Sequence, residues 1–245
     1  MLWFSLYNNS EYKSDIAAYP DVSQIKGIAE LEKNHTLILQ ELNEYIQANG
    51  IQSHFNITMV EKPESWKVRS LVVWGVKMYQ YQKHFPKTME LMNQIPGVVN
   101  ICFNALEPQS KIVPHFGDTN AVIRCHLGLT IPASLPSCGL KVKGLDKNWD
   151  PGKVIGFIDA YTHEAWNLTN ERRTILLFDI LKPEFYSKKN KVCATVLMSF
   201  YLQNIGNIFP SLYKMNRSVF KVVLWPFICI LQLAIPIRNR LKRKY

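Results

Sequence analysis

The sequence predicts a mainly β protein with flanking helices. An antiparallel sandwich or barrel of the jelly-roll type is preceded by a helical N-terminal part and followed by an apolar, basic helical tail. Three observations predict it. Seven short β-type segments succeed one another between Val98 and Ile180 with turn residues and no helical stretch between them. Apolar residues recur at three- and four-residue steps between Val22 and Gly50. After Pro183 the texture changes to long apolar runs without an acidic residue beyond Tyr186. The chain therefore divides into an N-terminal helical region (1–60), a β domain (61–185) and a C-terminal tail (186–245).

In the first region Ile28, Leu31, Ile38, Leu42, Tyr45 and Ile46 mark one helical face, and Asn49-Gly50 supplies the left-handed residues that end it. Trp66 to Tyr81 is rich in Val, Trp and Tyr, with Gly75 as a bulge or turn. Phe85-Pro86-Lys87-Thr88 opens a helical run that Pro96-Gly97 terminates. The strands follow at Val98–Asn104, Lys111–Pro114, Ala121–Ile131, Gly139–Lys143, Lys153–Asp159, His163–Asn167 and Arg173–Ile180. Asp118-Thr119-Asn120 and Asp150-Pro151-Gly152 are turns between them.

The tail is apolar over Val192–Leu212, with Asn204, Gly206 and Pro210 as interruptions, and again over the 16 uncharged residues Val222–Ile237. The second run is shorter than the ~20 residues of a spanning helix and holds Pro226, Gln232 and Pro236, but the basic cluster Arg238–Lys244 follows it directly. That combination reads as an interfacial anchor or a marginal span; the alternative is a helix pair packed on the body with a solvated basic end.

The net charge of +10 is unevenly spread. Eleven of the 29 Lys and Arg lie between Tyr186 and Tyr245, leaving 18 basic against 19 acidic residues before them. The body is near neutral, and any long-range attraction for anions belongs to the tail. No nucleic-acid partner is expected, because the basic residues are interleaved with aliphatic runs. Five widely spaced Cys without a Cys-x-x-Cys pair speak against a disulfide scaffold or a thiolate zinc site and for a reducing compartment. MLWFSLYNNSEYKSD has no secretory pattern, so the expected location is cytoplasmic, or peripheral or anchored at the cytoplasmic face of a membrane.

Chemistry concentrates in the β region. His115 ends a strand beside turn residues, and His163 begins another. Neutral imidazoles at a barrel mouth suit iron(II), which keeps open positions for a co-substrate and O2. In Arg124-Cys125-His126-Leu127-Gly128-Leu129, Arg124, His126 and Gly128 share the inward face of a strand, while Ile123, Cys125, Leu127 and Leu129 pack outward. Arg173 heads the apolar strand Thr174-Ile175-Leu176-Leu177-Phe178. A buried Arg there requires a carboxylate, either from a bound ligand or from Asp159 or Asp179.

The segments PHFGDTNAVIRCHLGLTIP, GKVIGFIDAYTHEAWN and RRTILLFDILKPEF resemble the aspartyl/asparaginyl β-hydroxylase family of iron(II)/2-oxoglutarate dioxygenases, a family that lipid A hydroxylases also resemble. Phe85-Pro86-Lys87-Thr88 and Ile95-Pro96-Gly97 fit its lead-in, and the likeness covers about residues 66–185. It implies a double-stranded β-helix core of the cupin-like kind, with His115 and His163 as the iron ligands and Arg173 pairing with the distal carboxylate of 2-oxoglutarate. It implies that Arg124 and His126 steady that co-substrate. Asn104 stands where relatives often carry a Ser that touches 2-oxoglutarate. Gly117 occupies the position of the carboxylate ligand of the wider superfamily, so water would complete the iron shell, with Asp118 forming the turn or standing behind the ligands. Trp166 reads as a wall of the site or as ordinary core.

The function implied is an oxidoreductase, an iron(II)- and 2-oxoglutarate-dependent dioxygenase that uses O2 to hydroxylate a C–H bond. Its substrate would be a peptidyl Asp or Asn, the acyl chain of a membrane lipid, or a free or carrier-bound amino acid. The alternative is a non-catalytic β-barrel binding module tethered to a membrane by its basic tail.

Overall fold

The computed structural model describes residues 1–8, 10–54, 56, 59–208 and 217–242. The expectations that fall on Pro210, Leu212, Lys214, Arg243 and Lys244 lie outside the described residues.

Among the described residues the strands are β1 (Gln52–Ser53), β2 (Trp66–Val73), β3 (Val76–Lys77), β4 (Val98–Leu106), β5 (Ser110–His115), β6 (Val122–Thr130), β7 (Cys138–Val142), β8 (Leu145–Lys147), β9 (Val154–Phe157), β10 (His163–Asn167) and β11 (Arg173–Leu181). They pair antiparallel in two sheets. The larger runs β1-β2-β4-β11-β6-β9 with β3 on β2, and the smaller runs β5-β10-β7-β8. From β4 to β11 the chain passes back and forth between the sheets, which is the winding of a double-stranded β-helix. The seven strands expected between Val98 and Ile180 are all present. The eighth, β8, is three exposed residues, Leu145-Asp146-Lys147, and carries no apolar signal of its own.

The helices are α1 (Ile28–Lys33), α2 (His35–Asn49), α3 (Tyr79–Gln82), α4 (Pro86–Met92), α5 (Lys189–Ile208) and α6 (Arg217–Lys242). The single helix expected between Val22 and Gly50 is broken at Asn34 into α1 and α2, and Gly50 alone has positive φ at its end (+69°). Their apolar face (Ile28, Leu31, Ile38, Leu42, Tyr45) joins Leu91 and Met92 of α4 against the outer side of the larger sheet, where Cys125, Leu127, Leu176 and Phe178 point. The opposite parity of the same strands, Ile175 and Leu177, meets Phe157, Leu140 and Val142 between the sheets. This two-sided packing explains why all nine residues of β11 are buried. Each fully buried aliphatic or aromatic side chain contributes about 1.5–3 kcal/mol.

A third apolar cluster closes one end of the molecule. Phe4 and Leu6 from the N-terminus, Trp74, Val192 and Val196 of α5, and Phe220, Leu224 and Ile228 of α6 meet there. Both C-terminal helices run through the residues expected to interrupt them: Asn204 and Gly206 lie inside α5, and Pro226 and Pro236 inside α6. An interior Pro costs a helix about 3 kcal/mol, and burial of the inner face of α6 outweighs it.

Candidate active site

The site lies between the sheets. His115 at the end of β5 and His163 at the start of β10 are direct cross-strand partners, and their ring centroids are 4.2 Å apart. Each ring is held the same way. His115 Nδ1 lies 2.8 Å from the carbonyl of Val113, and His163 Nδ1 lies 2.8 Å from the carbonyl of Tyr161. A carbonyl only accepts, so both Nδ1 atoms carry the proton and both Nε2 atoms keep a free lone pair. Burial holds both imidazoles below their usual range, hence neutral. This is the orientation that metal-binding histidines adopt when a second partner fixes the tautomer. Among the described residues no third His, Cys, Asp or Glu joins them in a metal-holding group.

Gly117 explains what stands near them instead. A Cβ at Gly117 would collide with the carboxylate of Asp159, and the Gly117 N–H donates to the Asp159 carbonyl at 2.8 Å. The space that a side chain two residues after His115 would fill is taken by a carboxylate from the loop that follows β9. Its Oδ1 lies 3.7 Å from His163 Nε2 and forms an ion pair with Arg124 Nη1 at 2.5 Å. Burial pushes the Asp159 carboxyl up, to about 7, against the pull of Arg124.

Two arginines rise from the adjacent strands β6 and β11. Arg124 is neutralised from within. Its Nε and Nη2 bind the two oxygens of Asp179 at 2.8 and 3.0 Å, and Asn100 also donates to that carboxylate. Arg173 is not. It is 1% exposed, and the carboxylates once open to it, Asp159 and Asp179, both serve Arg124. Arg173 Nη1 donates to Asn104 Oδ1 at 3.4 Å, its guanidinium sits 4.8 Å over the Trp149 ring, and its Nε has no hydrogen-bond partner among the described residues. Burial draws it down, to about 10, and it remains a cation at neutral pH.

His126 completes this end. Trp149 Nε1 donates to its Nδ1 at 3.3 Å, so the proton is on Nε2, a buried donor without an acceptor among the described residues. Burial and the two arginines keep the ring neutral. A buried cation and a buried N–H, both unmet and both lining one small cavity with His115 and His163, call for an anionic ligand. An adjoining cavity of about 500 Å3 shares His115, Arg124 and Asn104 and extends to Phe200, Leu202 and Phe220 of the C-terminal helices.

The family model described as Aspartyl/Asparaginyl beta-hydroxylase matches residues 32–183. The chain belongs to this family. An ornithine lipid ester-linked acyl 2-hydroxylase of Rhizobium tropici is 32% identical over 168 residues, 66% of this chain and 60% of that protein. The human aspartyl/asparaginyl beta-hydroxylase is 29% identical over 194 residues, 76% of this chain and 25% of that protein. The chain thus spans less than two thirds of either relative. Among solved structures, a Pseudomonas putida prolyl-4-hydroxylase aligns with 64% of this chain and 90% of its own at 13% identity and a TM-score of 0.44.

The family's expected constellation is gathered only in part as the sequence reading drew it. His115, His163, Arg173, His126 and Asn104 converge on one cavity. Arg124 lies there too, but its charge is spent on Asp159 and Asp179, so it braces the site rather than offering a free cation. Asp118 is turned away: its carboxylate accepts from Ser199 (2.6 Å) and Ser5 (3.2 Å), tying α5 and the N-terminus to the loop after His115. Trp166 is not a wall of the site. Residues alternate along β10, His163 and Ala165 point in, and Trp166 points out, with its Nε1 on the carbonyl of Pro136. The aromatic residues that line the cavity are Trp66 and Phe157; Trp149 backs it beneath Arg173 and beside His126, and sequence reasoning missed it because it lies in a loop ahead of the Asp150-Pro151-Gly152 turn. The sequence offers Asp159 only as an ion-pair partner; the bare Gly117 beside a ligand-type His is the signal for a carboxylate arriving from elsewhere.

Proposed function

We propose that this chain is an iron(II)- and 2-oxoglutarate-dependent dioxygenase that hydroxylates a C–H bond of an acyl chain. The observation that carries the reading is Arg173: a buried guanidinium that meets no carboxylate among the described residues, in one small cavity with two neutral imidazoles with free lone pairs. A dicarboxylic keto acid answers both needs. Its distal carboxylate would meet Arg173 and Asn104, and its keto-acid end would lie toward the histidines.

The donor set fits the metal. Two imidazoles leave several positions open, as iron(II) requires when it must also bind co-substrate and O2. His115 and His163 would hold it through Nε2. Bound iron(II) supplies the coupling of O2 reduction to decarboxylation of 2-oxoglutarate, giving succinate, CO2 and a hydroxylated substrate. The chain's own residues do the rest. Val113 and Tyr161 fix the imidazole tautomers, Arg124 holds Asp159 beside His163, Arg173 neutralises the co-substrate, and His126 Nε2–H donates to it. The apolar residues around the larger cavity, among them Leu6, Met59, Val68, Leu177 and Leu202, favour an alkyl substrate, in keeping with the acyl 2-hydroxylase relative. The human relative supports a second reading, a peptidyl Asp or Asn. A non-catalytic barrel has no use for an unmet buried cation, which costs stability unless a ligand repays it.

The test is succinate formation from 2-oxoglutarate with iron(II), with and without acyl lipids or Asp/Asn peptides. Turnover that disappears in His115→Ala, and that in Arg173→Met needs far more 2-oxoglutarate, supports the reading. Turnover that survives both substitutions, or absence of succinate with every substrate, overturns it.

A further inference from the structure

The helix α6 is apolar on both sides, and only one side is used. Phe220, Leu224, Ile228 and Ile235 are buried against the body. The opposite stripe is open to solvent: Val222 (75% exposed), Ile230, Leu233 (71%), Ile237 and Leu241, with Trp225 at its margin (67%). These positions share one helical face at successive three-, four- and eight-residue steps. The most apolar 18-residue stretch of Val219–Lys242 has a mean hydropathy of 2.0, enough in length and composition for a span. The contacts say otherwise. Near its C-terminal end Asn239 donates to the carbonyl of Gly75 (2.7 Å) and accepts from the N–H of Lys77 (3.1 Å). Tyr79 Oη donates to the carbonyl of Asn239, and Arg238 Nη1 to that of Lys77, each at 3.0 Å. With Phe220 buried near its start, the helix is fastened along its whole length and cannot stand across a bilayer without being torn from the body.

Charge selects the occupant of the open stripe. No Asp or Glu follows Tyr186, and Lys221, Arg238, Arg240 and Lys242 punctuate the helix. Exposed Trp beside an apolar stripe, with cations at the helix end, is the composition of a helix lying in the headgroup region of an anionic bilayer. The same helix pair walls the larger cavity. Phe200 and Leu202 of α5 and Phe220 of α6 line it, and so does His115.

We propose that the outer face of α6 is an in-plane docking surface for an anionic bilayer, and that a lipid acyl chain reaches His115 past the α5–α6 pair through the cavity it walls. The proposal rests on the acyl-hydroxylase reading above and adds where the lipid is met and by which route it enters. Ser199 of α5 makes the route more than a neighbour of the site, since its hydroxyl binds Asp118 three residues after His115.

The test uses the 245-residue chain and phosphatidylcholine vesicles with and without phosphatidylglycerol, separated by sedimentation. The chain should pellet with the anionic vesicles and be released by salt, each lost cation weakening binding about fivefold. The double variant Leu233→Glu/Ile237→Glu should pellet at least about tenfold less, with melting temperature and uncoupled succinate formation unchanged. Leu202→Trp should pellet normally yet lose hydroxylation of vesicle lipid. Equal pelleting of the double variant and the unsubstituted chain overturns the docking surface. So does an unsubstituted chain that stays in the supernatant, including one that forms a dimer which the double variant splits. Undiminished lipid hydroxylation by Leu202→Trp overturns the route. Failure of the dioxygenase reading shows separately, as no succinate from any of these chains whatever the vesicles do.

Discussion

Arg124 and Arg173 enter the same interior from neighbouring strands, and both are buried, yet their surroundings are opposite. Arg124 meets the carboxylates of Asp179 and Asp159 and is held by bidentate hydrogen bonds. Arg173 meets an amide oxygen, an indole face and no carboxylate among the described residues. A buried charge compensated by the fold is part of the scaffold, and one left uncompensated is an unfinished interaction that a ligand completes. The two ends of the cavity therefore divide labour: the Arg124 end fixes the geometry around His163, and the Arg173 end receives an anion.

The largest effect that would break this contrast is on stability. Arg124→Met strands Asp179 and Asp159 in the interior, and a loss of about 3–5 kcal/mol is expected. Urea unfolding measures it. A loss below about 1 kcal/mol would mean that the Arg124 cluster is not scaffold. Arg173→Met should do the reverse. Stability in urea should stay level or rise, because an unmet buried cation is replaced by an apolar chain of similar reach. Apparent affinity for 2-oxoglutarate, read from succinate formation, should fall about 100-fold or more. If Arg173→Met destabilises the chain as much as Arg124→Met, the distinction between the two ends disappears.

Sequence alone made the contrast half visible. Alternation on β6 put Arg124 and His126 on one face and Cys125 and Leu127 on the other, and the structure keeps that division. The long strands were legible because two-sided burial enforces apolar runs, whereas β8 was silent because nothing buries it. Which arginine owns Asp159 and Asp179 was not legible. Arg124 and Asp179 are cross-strand partners, a matter of register that local pattern does not encode. Asp159 reaches the site only because β9 and β10 are joined by a loop that folds over Gly117. Pro226 and Pro236 hid the length of α6 for a related reason: tertiary packing carries the helix past residues that local propensity would stop at.

A smaller effect sharpens the role of that loop. Gly117→Ala places a methyl group against the Asp159 carboxylate, which must shift from both Arg124 and His163. Overpacking of this kind costs about 1–3 kcal/mol. The same shift moves a charge beside a ligand-type imidazole, so succinate formation should fall more than the stability loss explains. Full turnover in Gly117→Ala would show that the position of Asp159 is immaterial to the site.

The smallest expected effect separates the two tryptophans. Trp149 is buried under Arg173 and fixes the tautomer of His126, while Trp166 points outward from β10 and holds one hydrogen bond, to Pro136. Trp166→Phe keeps the ring against Lys141 and removes that bond, which is worth about 0.5–1.5 kcal/mol. Dependence of succinate formation on 2-oxoglutarate concentration should be unchanged. Trp149→Phe removes the donor to His126 Nδ1, frees the ring to place its proton on either nitrogen, and should weaken 2-oxoglutarate at similar stability. Equal weakening by the two substitutions would mean that the wall of the anion pocket extends through the smaller sheet to its outer face, which the alternation of His163, Ala165 and Trp166 along β10 does not allow.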